Sequence, residues 1–208
     1  MSMLFMGLCY LIVWISFVGG YWWICQKNEN SIKFEKYLWN ARIDKMQYPP
    51  FSIIMRLSER RNPLILFWVI IINSIMVITE FILGLIFLGP IMLIIQGFMV
   101  GALIAQADVK TKIFSLFVLL FELGSFSAAS GLGLYAVIQK IFVGIPIIES
   151  IATLSSNGYL WIPVILLILN GVFEGSGVIF NICAFRSSRT AKRSMPHSGR
   201  GNRLVEIL

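Results

Sequence analysis

The chain has 208 residues, of which 58% are hydrophobic and only 13% are charged, and its mean hydropathy is +0.84. This composition excludes an ordinary water-soluble globule, because the polar residues are too few to cover the apolar ones, and it indicates a protein that lies in the lipid bilayer. The net charge of +7 does not indicate nucleic-acid binding, since the basic residues lie between and after the apolar segments.

Five apolar segments follow one another and predict an all-α, polytopic membrane protein with about five transmembrane helices. They lie near 3–24, 63–83, 90–105, 113–138 and 159–185. The second and third form a hairpin, because 84–90 concentrates helix breakers in a few residues. The apolar stretch 141–154 contains a glycine and a proline, so we expect a re-entrant or interfacial segment there. The prediction is one membrane domain over 1–185, followed by a basic cytoplasmic tail over 186–208.

The positions of Lys and Arg predict the orientation of these helices. The stretch 26–62 holds eight of them, the loop 106–112 holds two and the tail holds six. Because positively charged flanks stay in the cytoplasm, sixteen of the 17 fall on one side if five helices cross. The sequence therefore predicts a multi-pass protein of the cell membrane, with its N-terminus outside and its C-terminus in the cytoplasm.

The long cytoplasmic stretch 26–62 divides at Tyr48-Pro49-Pro50 into two pieces. In each piece apolar residues recur at helical spacing beside basic ones, which predicts two amphipathic helices at the inner interface. The apolar positions are Phe34, Tyr37, Leu38 and Ala41 in the first piece, and Ile53, Ile54 and Leu57 in the second. Two interpretations remain open: a connector that lies along the membrane, or a docking surface for a cytoplasmic partner.

Three acidic residues, Glu80, Glu122 and Glu174, lie inside predicted spans, where charge is expensive and each is a candidate for function. Glu122 follows Lys112 by ten residues and Glu174 precedes Arg186 by twelve, so both lie about 15 to 18 Å from the cytoplasmic end. Glu80 lies nearer the outer end, from which the lipid headgroups are easier to reach than from the other two positions.

The predicted spans contain no Lys, Arg or His that could neutralise these carboxylates. Three outcomes remain. The acids are protonated and hydrogen-bonded to buried polar groups, they bind a cation, or another subunit supplies the partner; a neutral carboxyl that only joins helices is the simplest case. The candidate polar partners are Asn73, Ser127, Asn170 and Asn181.

Small residues surround both deeper acids, over 124–133 and 171–177, and let helix backbones approach closely. We expect helix packing at Gly97 and Gly101 in the third segment and at Gly171 and Gly175 in the fifth. The same surfaces suggest a homo-oligomer or hetero-oligomer.

An enzyme is not expected, because the residues for catalysis are missing from the spans. The one histidine, His197, lies in the tail, no aspartate lies in a span, and no Walker motif is present. We therefore expect no cofactor and no metal site, and any energy from ATP must come from a separate protein.

Three stretches resemble the stage II sporulation protein M family of small membrane proteins over roughly residues 70–180. They read ILGLIFLGPIMLIIQGFMVGALIA, LFELGSFSAASGLGLYAV and LNGVFEGSGVIF. Gln96-Gly97 and Gly101 stand where the family has a glycine pair near an Asn, and Glu122 and Glu174 match its helix glutamates. The chain departs from the family after Glu122, where Gly124 replaces a usual proline, and before it, where Phe121 stands in the region of a frequent histidine.

The resemblance implies a non-enzymatic membrane component that works in complexes. Related proteins lie in circular bacteriocin gene clusters beside an ATPase, where they contribute to maturation, secretion or immunity; other members act in sporulation engulfment with peptidoglycan-degrading partners. Our leading hypothesis is a subunit of an export or assembly complex, working with a separate ATPase on a peptide cargo. The alternatives are an engulfment scaffold and an ion- or proton-coupled transporter.

Overall fold

The computed structural model describes residues 1–60, 62–107 and 109–179, and this part of the chain contains eight α-helices and no strand. They are α1 (Ser2–Cys25), α2 (Glu29–Gln47), α3 (Phe51–Glu59), α4 (Leu64–Leu85), α5 (Gly89–Ala105), α6 (Val109–Val143), α7 (Ile147–Ser156) and α8 (Trp161–Ile179). The prediction of an all-helical fold is confirmed for these residues. The predicted tail over 186–208 and the end of the fifth segment over 180–185 lie outside them.

Three of the described helices are long and apolar enough to cross a membrane: α1, α4 and residues 111–143 of α6. The axes of α7 and α8 differ by 63° across a short break, and the two helices count as a fourth candidate if they form one broken span. Helix α5 is apolar but has only 17 residues. Within the described residues each of the five predicted apolar segments thus overlaps a helix, and three to four helices have the length and composition of a span.

Helix α6 lies at the centre of the bundle and contacts α1, α4, α5, α7 and α8. Every residue from Leu123 to Gly133 is buried. Most of these residues are Gly, Ala or Ser, so several helices can pack around α6 at short range.

Helices α1 and α5 run in the same direction and pack closely. A methyl group at Gly97 would overlap the carbonyl oxygen of Val13, and one at Gly101 would overlap that of Phe17. A step of four residues along α5, from Gly97 to Gly101, corresponds to a step of four residues in the same direction along α1, from Val13 to Phe17. The two helices are therefore parallel. Helix α6 runs the other way, because Gly131 lies against Met6 near the start of α1 while Lys112 reaches Tyr21 near its end.

Helix α4 is antiparallel to α5, to which a turn of three residues joins it, and antiparallel to α8. Ile70 lies against Gly171, whereas Leu66, one turn earlier, lies against Gly175, one turn later. Helices α1, α5 and α8 therefore run one way, and α4 and α6 run the other.

Helices α2 and α3 pack against one end of this bundle. Leu38 of α2 is only 3% exposed and packs with Ile24 and Ala102, at the ends of α1 and α5. Ile54 and Leu57 of α3 pack against the start of α4. The break between the two helices lies at the predicted position. Some of their apolar residues contact the bundle, whereas others are exposed; Tyr37, for example, is 65% exposed.

Candidate functional site

Glu80 is fully buried inside the bundle, with 0% of its surface exposed. Its Oε1 accepts a hydrogen bond from Nε2 of Gln96, at 2.7 Å across the α4–α5 hairpin. This burial differs from the easier access to the headgroups that the position of Glu80 in the sequence suggested. The side chain points into the bundle, where α5 supplies a polar partner, instead of outward along α4.

Further polar groups lie near Glu80 on two other helices. The thiol of Cys9 on α1 lies beside the hydroxyl of Ser130 on α6 and within electrostatic range of Glu80. Ser130 Oγ is also packed against the backbone of Gly89, where a methyl group would overlap it. Four helices thus enclose a small polar cluster, which we call the Glu80 cluster and define as Cys9, Glu80, Gln96 and Ser130.

Glu122 on α6 and Glu174 on α8 lie within electrostatic range of each other. Both side chains are partly exposed at the surface of the bundle. Beside them the rings of Phe121 and Phe173 stack with centroids 5.2 Å apart and an interplanar angle of 5°. The structure therefore brings together the two acids that the sequence placed at one depth, and it sets them beside an aromatic contact between α6 and α8.

The polar residues proposed as hydrogen-bond partners have other environments. Ser127 donates to the carbonyl oxygen of Leu123 at 2.6 Å, within its own helix. Asn170 is 1% exposed, and neither amide atom has a hydrogen-bond partner among the described residues. Asn73 is buried on α4, and Asn181 lies outside the described residues. The partner of Glu80 is instead Gln96, which the sequence analysis singled out only as part of the family motif.

The four glycines predicted at packing faces occupy two kinds of contact. Gly97 and Gly101 lie against backbone carbonyls of α1, whereas Gly171 and Gly175 lie mainly against the side chains of Ile70 and Leu66 on α4. Four further close backbone contacts involve Gly20, Gly84, Gly131 and Gly133. A motif of spaced small residues indicates close packing, but the type of neighbouring atom decides how rigid the contact is.

Two grooves lie beside α1, with volumes of about 430 and 210 Å³. The larger is lined by α1, α2 and α5, and the smaller by α1, α5 and α6, where Lys112 lies 5.3 Å from the ring centroid of Tyr21. Both linings are almost entirely apolar. Among the side chains that the structure describes, no three His, Cys, Asp or Glu residues come together as metal ligands would.

These features define a class: a protein whose described residues form only helices, several of them apolar enough to span a membrane, with the carboxyl group of Glu80 buried among them. No family model, no curated protein and no solved structure matches the chain. The resemblance to the stage II sporulation protein M family therefore stays a prediction from the sequence motifs.

Proposed function

We propose that the chain is a five-span protein of the cell membrane, with its N-terminus outside and its C-terminus in the cytoplasm. The alternating directions of α1, α4, α5, α6 and α8 support this arrangement, as does the distribution of basic residues. Helix α5 would cross with about 25 Å of helix, which local thinning of the bilayer accommodates. In this arrangement α7 and its 63° bend to α8 form a re-entrant segment on the outer side.

We further propose that the protein is a non-enzymatic subunit of an export or assembly complex and works with a separate ATPase. The observation that carries this proposal is the pair α2–α3, which is held against the bundle by Leu38, Ile54 and Leu57. The side chains of Arg56 on α3 and of Arg60, the residue that follows α3, are exposed. A simple connector needs no such fixed, charged surface, whereas a cytoplasmic partner does.

The family resemblance supports the setting of this complex. It suggests a peptide cargo and a role in circular bacteriocin maturation, secretion or immunity. It leaves a scaffold for sporulation engulfment, with peptidoglycan-remodelling partners, as an alternative in the same class of protein.

Co-purification in mild detergent with the products of the adjacent genes tests this proposal. We expect an ATPase to be recovered with the wild-type chain. Reversal of two charges at the end of α3 (Arg56→Glu with Arg60→Glu) should reduce its recovery about tenfold, which corresponds to about 1.4 kcal/mol of binding free energy. The matched control is Lys140→Glu, which reverses an exposed charge at the other end of the bundle and should leave recovery unchanged. Recovery of the wild-type chain only as a monomer would contradict the proposal.

One observation favours a second candidate, an ion- or proton-coupled transporter: Glu122 and Glu174 are close enough to interact. Paired carboxyl groups at one depth in a membrane are typical of sites that bind and release cations or protons.

The double substitution Glu122→Gln with Glu174→Gln separates the candidates. If the pair couples transport, proton or cation flux into proteoliposomes should fall to background, because neither amide can release a proton. The control is Glu149→Gln, an exposed acid of α7. Unchanged flux in the double variant counts against transport, and a change in complex recovery alone favours the assembly role.

A further inference from the structure

The hydrogen bond between Glu80 and Gln96 leaves one oxygen on each side chain without a partner. Gln96 Nε2 donates to Glu80 Oε1, at 2.7 Å. The remaining atoms, Glu80 Oε2 and Gln96 Oε1, are both buried, and neither has a hydrogen-bond partner among the described residues. Both are acceptors as they stand, so they cannot satisfy each other without an added donor.

A carboxyl group and a primary amide can form a ring of two hydrogen bonds. The amide N–H donates to the carboxyl C=O, which is the bond observed, and the carboxyl O–H donates to the amide C=O. A single proton on Glu80 Oε2 would therefore satisfy both buried oxygens at once. A buried acceptor without a partner is destabilising, and a buried charge without compensation is more so. The protonated pair is therefore the arrangement of lower free energy.

The groups that surround Glu80 supply no positive charge. Among the described residues, the Gln96 amide on α5 donates to Glu80, the Cys9 thiol on α1 lies within electrostatic range of it, and the Ser130 hydroxyl on α6 lies beside that thiol. The helices also pack closely here: a methyl group at Gly84, one turn along α4 from Glu80, would overlap the carbonyl oxygen of Ser130. Neither a basic side chain nor a roomy polar cavity is described at this site.

We infer that Glu80 is a proton-binding site within the bundle, and that its carboxyl O–H donates to Gln96 to complete a two-hydrogen-bond ring joining α4 to α5. The bound proton then fixes the register of the hairpin. Its loss would leave a carboxylate facing an amide oxygen, and the two helices would have to separate to admit water or a cation. This inference is independent of the proposed complex and of the Glu122–Glu174 pair.

Infrared spectroscopy of the full chain in nanodiscs tests the inference directly. A protonated carboxyl absorbs at a different frequency from a carboxylate. Subtracting the Glu80→Gln spectrum from the wild-type spectrum at neutral pH should therefore leave a protonated-carboxyl band, which the variant lacks. Gln96→Leu should move that band to higher frequency, because the O–H loses its acceptor. The control is Glu149→Gln, which removes an exposed acid and should remove carboxylate absorption instead.

Thermal unfolding provides a second measurement. Glu80→Gln keeps the ring, because two amides can form the same pair of hydrogen bonds, and its apparent Tm should stay within about 2 °C of wild type. Gln96→Leu leaves the acid without its partner, and its apparent Tm should fall by about 5 °C or more. The inference is overturned if Glu80→Gln removes carboxylate absorption, if it lowers the Tm as much as Gln96→Leu, or if Na⁺ raises the wild-type Tm but not that of Glu80→Gln.

Discussion

Replacement of Gly101 by alanine is expected to lower the apparent Tm of the detergent-solubilised protein by roughly 5 to 10 °C. The added methyl group would overlap the carbonyl oxygen of Phe17, which belongs to the backbone of α1 and cannot rotate away. The two helices would have to separate along their length, and Gly97, one turn earlier on the same face, would lose its contact with Val13. Thermal unfolding followed by circular dichroism measures the effect.

Other glycines in the same bundle provide matched controls for this prediction. A methyl group at Gly7 or Gly19 on α1 would meet no atom within 4 Å. Alanine there should be neutral or slightly stabilising, since it favours helix more than glycine does. Gly171→Ala should lie between the two cases, because its methyl group would meet the movable side chain of Ile70. Equal Tm values for the variants at Gly101, Gly171 and Gly19 would contradict the close packing of α1 on α5.

Single-cysteine labelling is expected to give an all-or-none result for the crossing of α5. In a chain whose native cysteines are replaced by alanine, Leu88→Cys should react with a membrane-impermeant maleimide in intact cells. Val109→Cys should react only after permeabilisation. Leu88 lies in the turn before α5 and Val109 at the start of α6, and both side chains are exposed. If α5 crosses, its two ends must face opposite sides of the membrane.

A second pair of positions tests the remaining topology. Ser156→Cys, at the end of α7, should label from outside, and Asn40→Cys, on α2, only from the cytoplasm; both residues are exposed. Labelling of Leu88→Cys and Val109→Cys from the same side would show that α5 does not cross. Protection of Ser156→Cys under both conditions would show that α7 and α8 form one broken span, and not a re-entrant segment followed by a separate span.

The positions of the helices could largely be predicted from the sequence, because apolar length and helix breakers are local properties. The break at Tyr48-Pro49-Pro50 separates α2 from α3 as expected, since a proline disfavours helix at the residue before it. The limits of α6 could not be predicted in the same way. That helix extends over Val109–Val143 rather than 113–138, because backbone hydrogen bonding continues where apolar residues end.

The partner of Glu80 could not be predicted from depth alone. The position of a residue along a helix determines its distance from the membrane surface, but it does not determine the direction in which the side chain points. A helix that is apolar all round carries no periodic pattern from which to assign its buried face. One signal was available: Glu80 and Gln96 each lie eight residues from Leu88 in the turn, and an antiparallel hairpin places such positions opposite each other.

The contacts of the glycine pairs could also be predicted only in part. Their four-residue spacing indicated close contacts, yet the neighbours of Gly97 and Gly171 depend on which helices meet, which is a property of the whole bundle. The proximity of Glu122 to Glu174 also depends on the pairing of α6 with α8, although the sequence had placed both acids at one depth.

The close packing of α1 on α5 and α6 has a consequence for biosynthesis. In the proposed five-span arrangement α1 enters the bilayer before α5, and about sixty residues of chain separate its end at Cys25 from the start of α5 at Gly89. Contacts between distant parts of a chain form late, so α1 must wait among lipids with its helix-facing surface uncovered. In this arrangement a nascent chain that stops after α4 would expose the face of α1 that normally packs on α5 and α6. The bundle can form only after α5 and α6 have also entered the membrane.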